Sequence, residues 1–228
     1  MNLAKPRIDV GLATNALEPM LAFWQREVGL PFEEILPLGR GRRQHRHGMN
    51  GSVLKLNHWR DPLPAASPSG YRELRIAREG LAAERELCDP DGNRIVLVPC
   101  GSGGVRAIEV RLSVRDEGAF HRFYGEALEL EKAGARTYRC GDSLLAFAAD
   151  PSAPSEAAMD GPGFRYITIQ VRDVDREHRG ILERGGREGM APLTLGEVAR
   201  ISFVRDPDGN WIEISQRASL TGALPTAG

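Results

Sequence analysis

Carboxylates on alternating stretches are the first residues in this sequence with chemistry to offer. Glu109 sits in IEVRL (108–112) and Glu213 in WIEIS (211–215). On a strand, residues i and i+2 share a face. Arg111 then shares a face with Glu109, Thr168 and Gln170 share one with Tyr166, and Trp211 and Ser215 share one with Glu213. Two carboxylates in one pocket can hold a hard ion such as Mg or Mn, with water completing its shell. Without a metal they can act as general acid and base, if their surroundings push their pKa values apart. A wall of Glu, Arg, Tyr, Gln and an aromatic is polar enough to orient a small oxygenated ligand. A plainer reading makes Glu109 and Arg111 a neutralising pair on a solvated face and Tyr166 an ordinary wall residue. A second group, RGRRQHRHGMN (40–50), puts His45 and His47 on one strand face. They either line a site with Arg43 for an anionic ligand or belong to a solvated basic strand.

The elements that must position these residues are duplicated. The pentad DPDGN occurs at 89–93 and 206–210, its glycines 117 residues apart. Asp-Pro starts a tight turn and Gly supplies positive φ, so each copy reads as a hairpin turn. Residues 6–34 and 105–132 match in the same order. Each opens with an alternating strand (Ile8, Val10, Leu12; Ile108, Val110, Leu112) and continues as an amphipathic helix with an aromatic pair, Phe23-Trp24 or Phe123-Tyr124. SGYRELRIA (69–77) likewise matches PGFRYITIQV (162–171). The second half fits an extra helix over 176–186 and a strand that the first half lacks. Gly-rich CGSGGV (100–105) reads as the linker. The organisation expected is an N-terminal domain over 1–100 with a truncated second module, a complete C-terminal domain over 105–217, and a tail over 218–228.

The bulk numbers exclude several classes. The 228 residues are 41% hydrophobic and 27% charged, with 30 Lys plus Arg against 31 Asp plus Glu. That balance gives no reason to expect nucleic acid or an anionic membrane as partner. No apolar run approaches the roughly 20 residues of a membrane span. MNLAKPRIDVGL lacks a signal-peptide core, and three cysteines without metal-type spacing fit a reduced, cytoplasmic setting. No P-loop or nucleophile elbow occurs.

The two DPDGN-strand units, the FWQREVGLP and FYGEALELE helices, and the alternating strand before each helix resemble the vicinal oxygen chelate superfamily, the glyoxalase, bleomycin-resistance and extradiol-dioxygenase group, over about residues 6–217. The resemblance implies an α+β fold: tandem βαβββ modules forming two cupped mixed sheets, with helices on the convex side. It also implies a divalent metal (Mn, Fe, Mg or Zn) held by the first and last strands of each module. In the first half those places fall to Asp9, Lys55, Glu73 and Val96. One is cationic and one inert, so this site reads as degenerate, with the Lys55 ammonium placed between Asp9 and Glu73. In the second half they fall to Glu109, Ala146, Tyr166 and Glu213. The expectation is therefore a working cup in the second half. Glu109, Tyr166 and Glu213 are its catalytic residues, with Glu109 and Glu213 the metal ligands or an acid–base pair. Arg111, Thr168, Gln170, Trp211 and His47 contact substrate. Two functions follow: an enzyme acting on a small oxygen-rich molecule through an enolate-like intermediate, or a metal-free small-ligand or drug-sequestering protein. The resemblance also implies a small-molecule partner and admits a homodimer.

Overall fold

Alternating apolar residues become strands, as expected, in a computed structural model that describes residues 1–224. The first module runs β1 (Leu3–Thr14), α1 (Leu17–Ala22), β2 (Phe32–Gly39), β3 (Arg42–Met49) and β4 (Ser52–Trp59). The shortened second module is β5 (Tyr71–Arg78), β6 (Arg85–Cys88) and β7 (Arg94–Pro99). The third is β8 (Ile108–Val114), α2 (Glu117–His121), β9 (Glu131–Gly134), β10 (Thr137–Cys140) and β11 (Ser143–Ala149). The fourth is β12 (Gly163–Val171), α3 (Val174–Glu183), β13 (Arg187–Leu195), β14 (Ala199–Arg205) and β15 (Trp211–Arg217), followed by α4 (Ala218–Thr221). Both α1 and α2 run on as a π-helical turn, Phe23–Glu27 and Arg122–Ala127. The first stops at Gly29, whose φ of 74° suits a glycine at a helix end. The expected extra helix of the second half is α3, capped by the Asp173 carboxylate accepting from Arg176 N–H at 3.0 Å. The expected tail begins with α4; residues 225–228 lie outside those described.

The strands form two mixed sheets. One has eight strands in the order β13-β14-β15-β12-β1-β4-β3-β2; the other has seven, β6-β7-β5-β8-β11-β10-β9. The first module therefore shares a sheet with the fourth, and the second with the third. This corrects the expectation that residues 1–100 close one cup and 105–217 another. The connections explain the exchange. The Gly-rich join contains a single short helical turn, Ser102–Gly104, so β7 and β8 stay in one sheet on either side of β5. The chain crosses between sheets in two longer Pro-rich segments, 60–70 and 150–162. Arg165, 1% exposed, ties the two crossings together. Its guanidinium donates to the carbonyls of Ser67, Ala158 and Pro162.

One core joins both sheets. Ile8, Val10, Leu12, Ile167, Ile169, Ile212 and Ile214 of the larger sheet and Leu74, Ile76, Ile108 and Val110 of the smaller pack in a single cluster with Trp24, Phe120 and Tyr124. The concave faces therefore look away from that core. The DPDGN turns belong to this scaffold. The Asp206 carboxylate accepts from Asn210 N–H (2.8 Å) and side-chain amide (2.9 Å) and from the Tyr124 hydroxyl (3.1 Å), while Asn210 Oδ1 accepts from Gly70 N–H at 2.6 Å. Asp89 holds Asn93 in the same way. Burial pushes both aspartates up to about 6. No helix among the described residues is long and apolar enough to cross a membrane.

Candidate functional site

The register of the four central strands brings the halves together. Asp9 lies beside Thr168, Gly11 beside both Tyr166 and Lys55, and Thr168 beside Glu213. About the local two-fold between β1 and β12, Asp9 matches Tyr166 and Lys55 matches Glu213. The places expected in two separate sites thus fall on one concave face. Strand alternation puts Ile8, Val10, Ile212 and Ile214 into the core and leaves these polar residues to the cup.

The floor is an ion pair with a hydroxyl. Lys55 Nζ donates to Glu213 Oε2 at 2.5 Å and to Thr168 Oγ1 at 2.7 Å, and Thr168 Oγ1 donates to Glu213 Oε2 at 2.6 Å. The side chains of Lys55 and Glu213 are 5% and 10% exposed. A buried carboxylate needs such a partner. The expected place for Lys55, between Asp9 and Glu73, is corrected: Glu73 belongs to the other sheet. Asp9, fully buried, accepts instead from Lys5 Nζ (2.6 Å), Val53 N–H (2.8 Å) and Gln170 Nε2 (3.2 Å).

Tyr166 stands beside this pair at the end of a relay of amides. Arg46 NH1 donates to Gln44 Oε1 at 3.0 Å, so the Gln44 amide nitrogen points the other way. That nitrogen donates to Asn57 Oδ1 at 2.9 Å and to the Tyr166 hydroxyl at 3.4 Å. Asn57 Nδ2 donates to the Leu12 carbonyl (3.1 Å) and to the same hydroxyl (3.2 Å). The phenol oxygen accepts from both amides, and its own hydrogen has no acceptor among the described residues. Burial, and after it the Glu213 carboxylate, holds this phenol well above the usual tyrosine range, so it stays protonated as a donor. Lys55 Nζ lies 5.5 Å from the centre of the ring.

Above the floor is a cavity of about 530 Å³. Its walls include Met190, Leu193, Ile201, Phe203 and Trp211, and Trp211 is fixed by its Nε1–H donating to the Ala157 carbonyl at 2.7 Å. Arg42, Arg46, Lys55, Arg165 and Arg217 line it against Asp160 and Glu213. Glu34 offsets part of that excess by pairing with Arg46 and Arg217.

The donor set does not suit a divalent ion. Asp9 is taken up by Lys5, the Val53 N–H and Gln170, Glu213 Oε2 is taken up by Lys55 and Thr168, no histidine lines the cavity, and an ammonium stands at one of the ligand places. Among the described residues no three His, Cys, Asp or Glu side chains gather as a metal-holding group.

The smaller sheet corrects the other expectations. Glu109 and Glu213 do not share a site: they project from opposite sides of the common core, since Ile108, Val110, Ile212 and Ile214 all enter that core. Glu109 keeps the pairing of the plainer reading but not its solvation: it is buried, with Arg111 Nε 2.5 Å away and Arg75 Nε at 3.7 Å. Glu73 is met by Arg94 (2.7 Å), Arg75 (3.2 Å) and Arg111 (3.6 Å). Val96 packs in a small apolar cluster with Ala77, Val98, Val105 and Leu144. This second cup is closed by its own ion pairs.

His47 also leaves the site. Its ring is fully buried on the helix side, within 3.0 Å of Gln25 Nε2 and edge-on to Phe32. The alternation runs one residue out of phase with the expectation: Gln44 and Arg46 line the cavity, and His45 and His47 point away from it. Burial first, and His45 second, lowers the His47 imidazole to about 4. A base with a depressed folded pKa contributes stability above its unfolded value near 6.5, and this is lost as pH falls through 4. NMR titration should find one imidazole still neutral at pH 5; a His47 midpoint near 6.5 would contradict the burial.

Arg46, Gln44 and Asn57 escaped the sequence reading. Asn57 was within reach of it, two residues beyond Lys55 on the same face.

Residues 106–214 match the family model described as Glyoxalase/Bleomycin resistance protein/Dioxygenase superfamily. Among solved structures, glyoxalase I from Zea mays superposes with a TM-score of 0.70 at 15% identity, covering 92% of each chain. A point mutant of the same enzyme gives 0.72 at 14%, covering 92% of this chain and 94% of that one. A provisionally assigned dioxygenase from Bacillus subtilis gives 0.68 at 13%, covering 95% and 85%. No curated protein matches the sequence significantly. At such identities the superpositions establish the fold alone. Residues 106–214, the third and fourth modules, thus match the model of the glyoxalase, bleomycin-resistance and dioxygenase superfamily, and the described chain shares the fold of glyoxalase I over most of its length.

Proposed function

We propose that the chain binds a small organic molecule in the cup of the eight-stranded sheet without a metal, through an apolar body and an oxygen-bearing, electron-rich head. The carrying observation is the Lys55 ammonium 2.5 Å from Glu213, at one of the places where the superfamily resemblance implies a metal ligand. The apolar wall from Met190 to Trp211 suits the body. The excess of cationic side chains and the free hydroxyl hydrogen of Tyr166 suit the head.

Anilinonaphthalene sulfonate has both parts and fluoresces on binding. Its affinity should be unchanged by EDTA and fall about tenfold or more, roughly 1.4 kcal/mol, in Leu193→Glu, which adds a negative charge at a rim residue that is 50% exposed. Loss of dye binding on chelation, or indifference to Leu193→Glu, overturns the reading.

A catalytic reading of the same cup is favoured by one observation: a carboxylate, Glu213, and a phenol with an unclaimed proton, Tyr166, share one floor. They are suited to take a proton from carbon and to stabilise the resulting enolate oxygen. Solvent deuterium entering the carbon beside the carbonyl of phenylpyruvate faster than without protein supports it; no acceleration leaves binding alone.

A further inference from the structure

We infer that Lys55 is an amine nucleophile that forms an imine with a carbonyl compound held in the cup, a step that rests on the small-molecule reading above. The first observation is compositional. Of the 30 cationic residues only three are lysines, Lys5, Lys55 and Lys132. Apart from Lys5 at Asp9, the chain neutralises its buried and half-buried carboxylates mainly with arginine: Arg75, Arg94 and Arg111 around Glu73 and Glu109, Arg46 and Arg217 at Glu34, Arg200 at Asp175. A guanidinium would serve charge alone, and it makes more hydrogen bonds. A primary amine differs in one chemical respect: it can lose its proton and expose a lone pair. The floor of the cavity carries the amine.

The second observation is placement. Lys55 lines the cavity, its nitrogen touches a carboxylate that can take a proton, and the unclaimed Tyr166 hydrogen lies on the same floor. Lys5 also pairs with a carboxylate, Asp9, but does not line this cavity. It is an internal control.

The step balances within these groups. The Lys55 ammonium passes one proton to Glu213, leaving a neutral amine and a neutral acid. The nitrogen lone pair adds to the carbonyl carbon, with Tyr166 donating a hydrogen bond to the carbonyl oxygen. A proton moves from nitrogen to oxygen to give the carbinolamine. Glu213 returns its proton to that hydroxyl, the C–O bond breaks, and water leaves behind a protonated imine. The net change is ammonium plus carbonyl to iminium plus water, with no redox partner. The surplus of arginines and the apolar wall point to an oxo acid with an apolar side chain as the ligand class.

Phenylpyruvate is the probe, with phenyllactate as its carbonyl-free counterpart. Both should displace anilinonaphthalene sulfonate from the cup. With sodium cyanoborohydride present, phenylpyruvate should leave its reduced adduct on Lys55 in peptide mass mapping. Lys5, the exposed Lys132 and the N-terminal amine should carry far less. Lys55→Arg keeps the charge and should lose the adduct. Displacement of the dye with no adduct on Lys55, or labelling of Lys55 no greater than of Lys132 in the wild type, overturns the imine and leaves the pocket standing. Neither displacement nor adduct overturns both.

Discussion

Lys55→Met lowers the unfolding free energy by about 3–5 kcal/mol, and adding Glu213→Leu restores most of the loss. The first change leaves the Glu213 carboxylate buried with Thr168 as its remaining donor, and an uncompensated buried charge costs that much. The second removes the orphaned charge. An apolar pair of similar volume is often as stable as the ion pair it replaces. For a chain of this size the single change should depress the melting temperature by on the order of 10 °C. The double-mutant cycle is the measurement, because it isolates the coupling between two side chains in contact. Single changes that add without coupling would mean that Lys55 and Glu213 do not meet.

Gly11→Ala is the second large effect, and its cause is steric. A Cβ on Gly11 would lie 2.3 Å from Tyr166 Cε1 and Cζ, because the ring lies across β1. Gly11 is not held at a positive φ, so the backbone accepts alanine and the clash falls wholly on the ring. The ring is packed edge-on against Phe203 and held at its hydroxyl by Asn57 and Gln44, so it cannot yield by a small shift. Overpacking of this kind costs about 1–3 kcal/mol. The larger consequence is for the ligand. Displacing Tyr166 removes a hydrogen-bond donor from the floor, and dye affinity should drop at least about tenfold. Gly48→Ala is a fair comparison, since the added Cβ meets Glu33 side-chain atoms and a proline ring carbon rather than the cup. Equal dye affinity in Gly11→Ala and wild type would show that Tyr166 does not shape the site.

Much of this fold was legible because duplication repeats its own evidence. Two DPDGN turns, two helices with aromatic pairs and two alternating strands each appeared where the other predicted. The pairing of modules was harder to read. Local alternation specifies which face of a strand is buried, not which strand lies beside it. The clue was in the connections. The 100–105 join looked like a boundary because it is glycine-rich, yet it is short enough to keep β7 and β8 in one sheet, while the Pro-rich segments 60–70 and 150–162 make the crossings. Once modules are exchanged, the two half-sites recombine: Lys55, Tyr166 and Glu213 line one cup, with Asp9 buried on the same sheet, and Glu73, Val96 and Glu109 fall into the other. Val96 and Glu213 were rightly seen as unlike, but the cup that Glu213 serves is completed by the first module. His47 and Arg46 show a finer limit. Both are polar, so their alternation carries no hydrophobic contrast to set its phase.

The most direct measurement is a crystal structure grown with manganese and examined for anomalous scattering. A metal-free floor gives Lys55 Nζ between Glu213 and Thr168 and no anomalous peak within coordinating distance of Glu213. A peak bound by Glu213 and Asp9 or Tyr166, with Lys55 turned away from the floor, would contradict it.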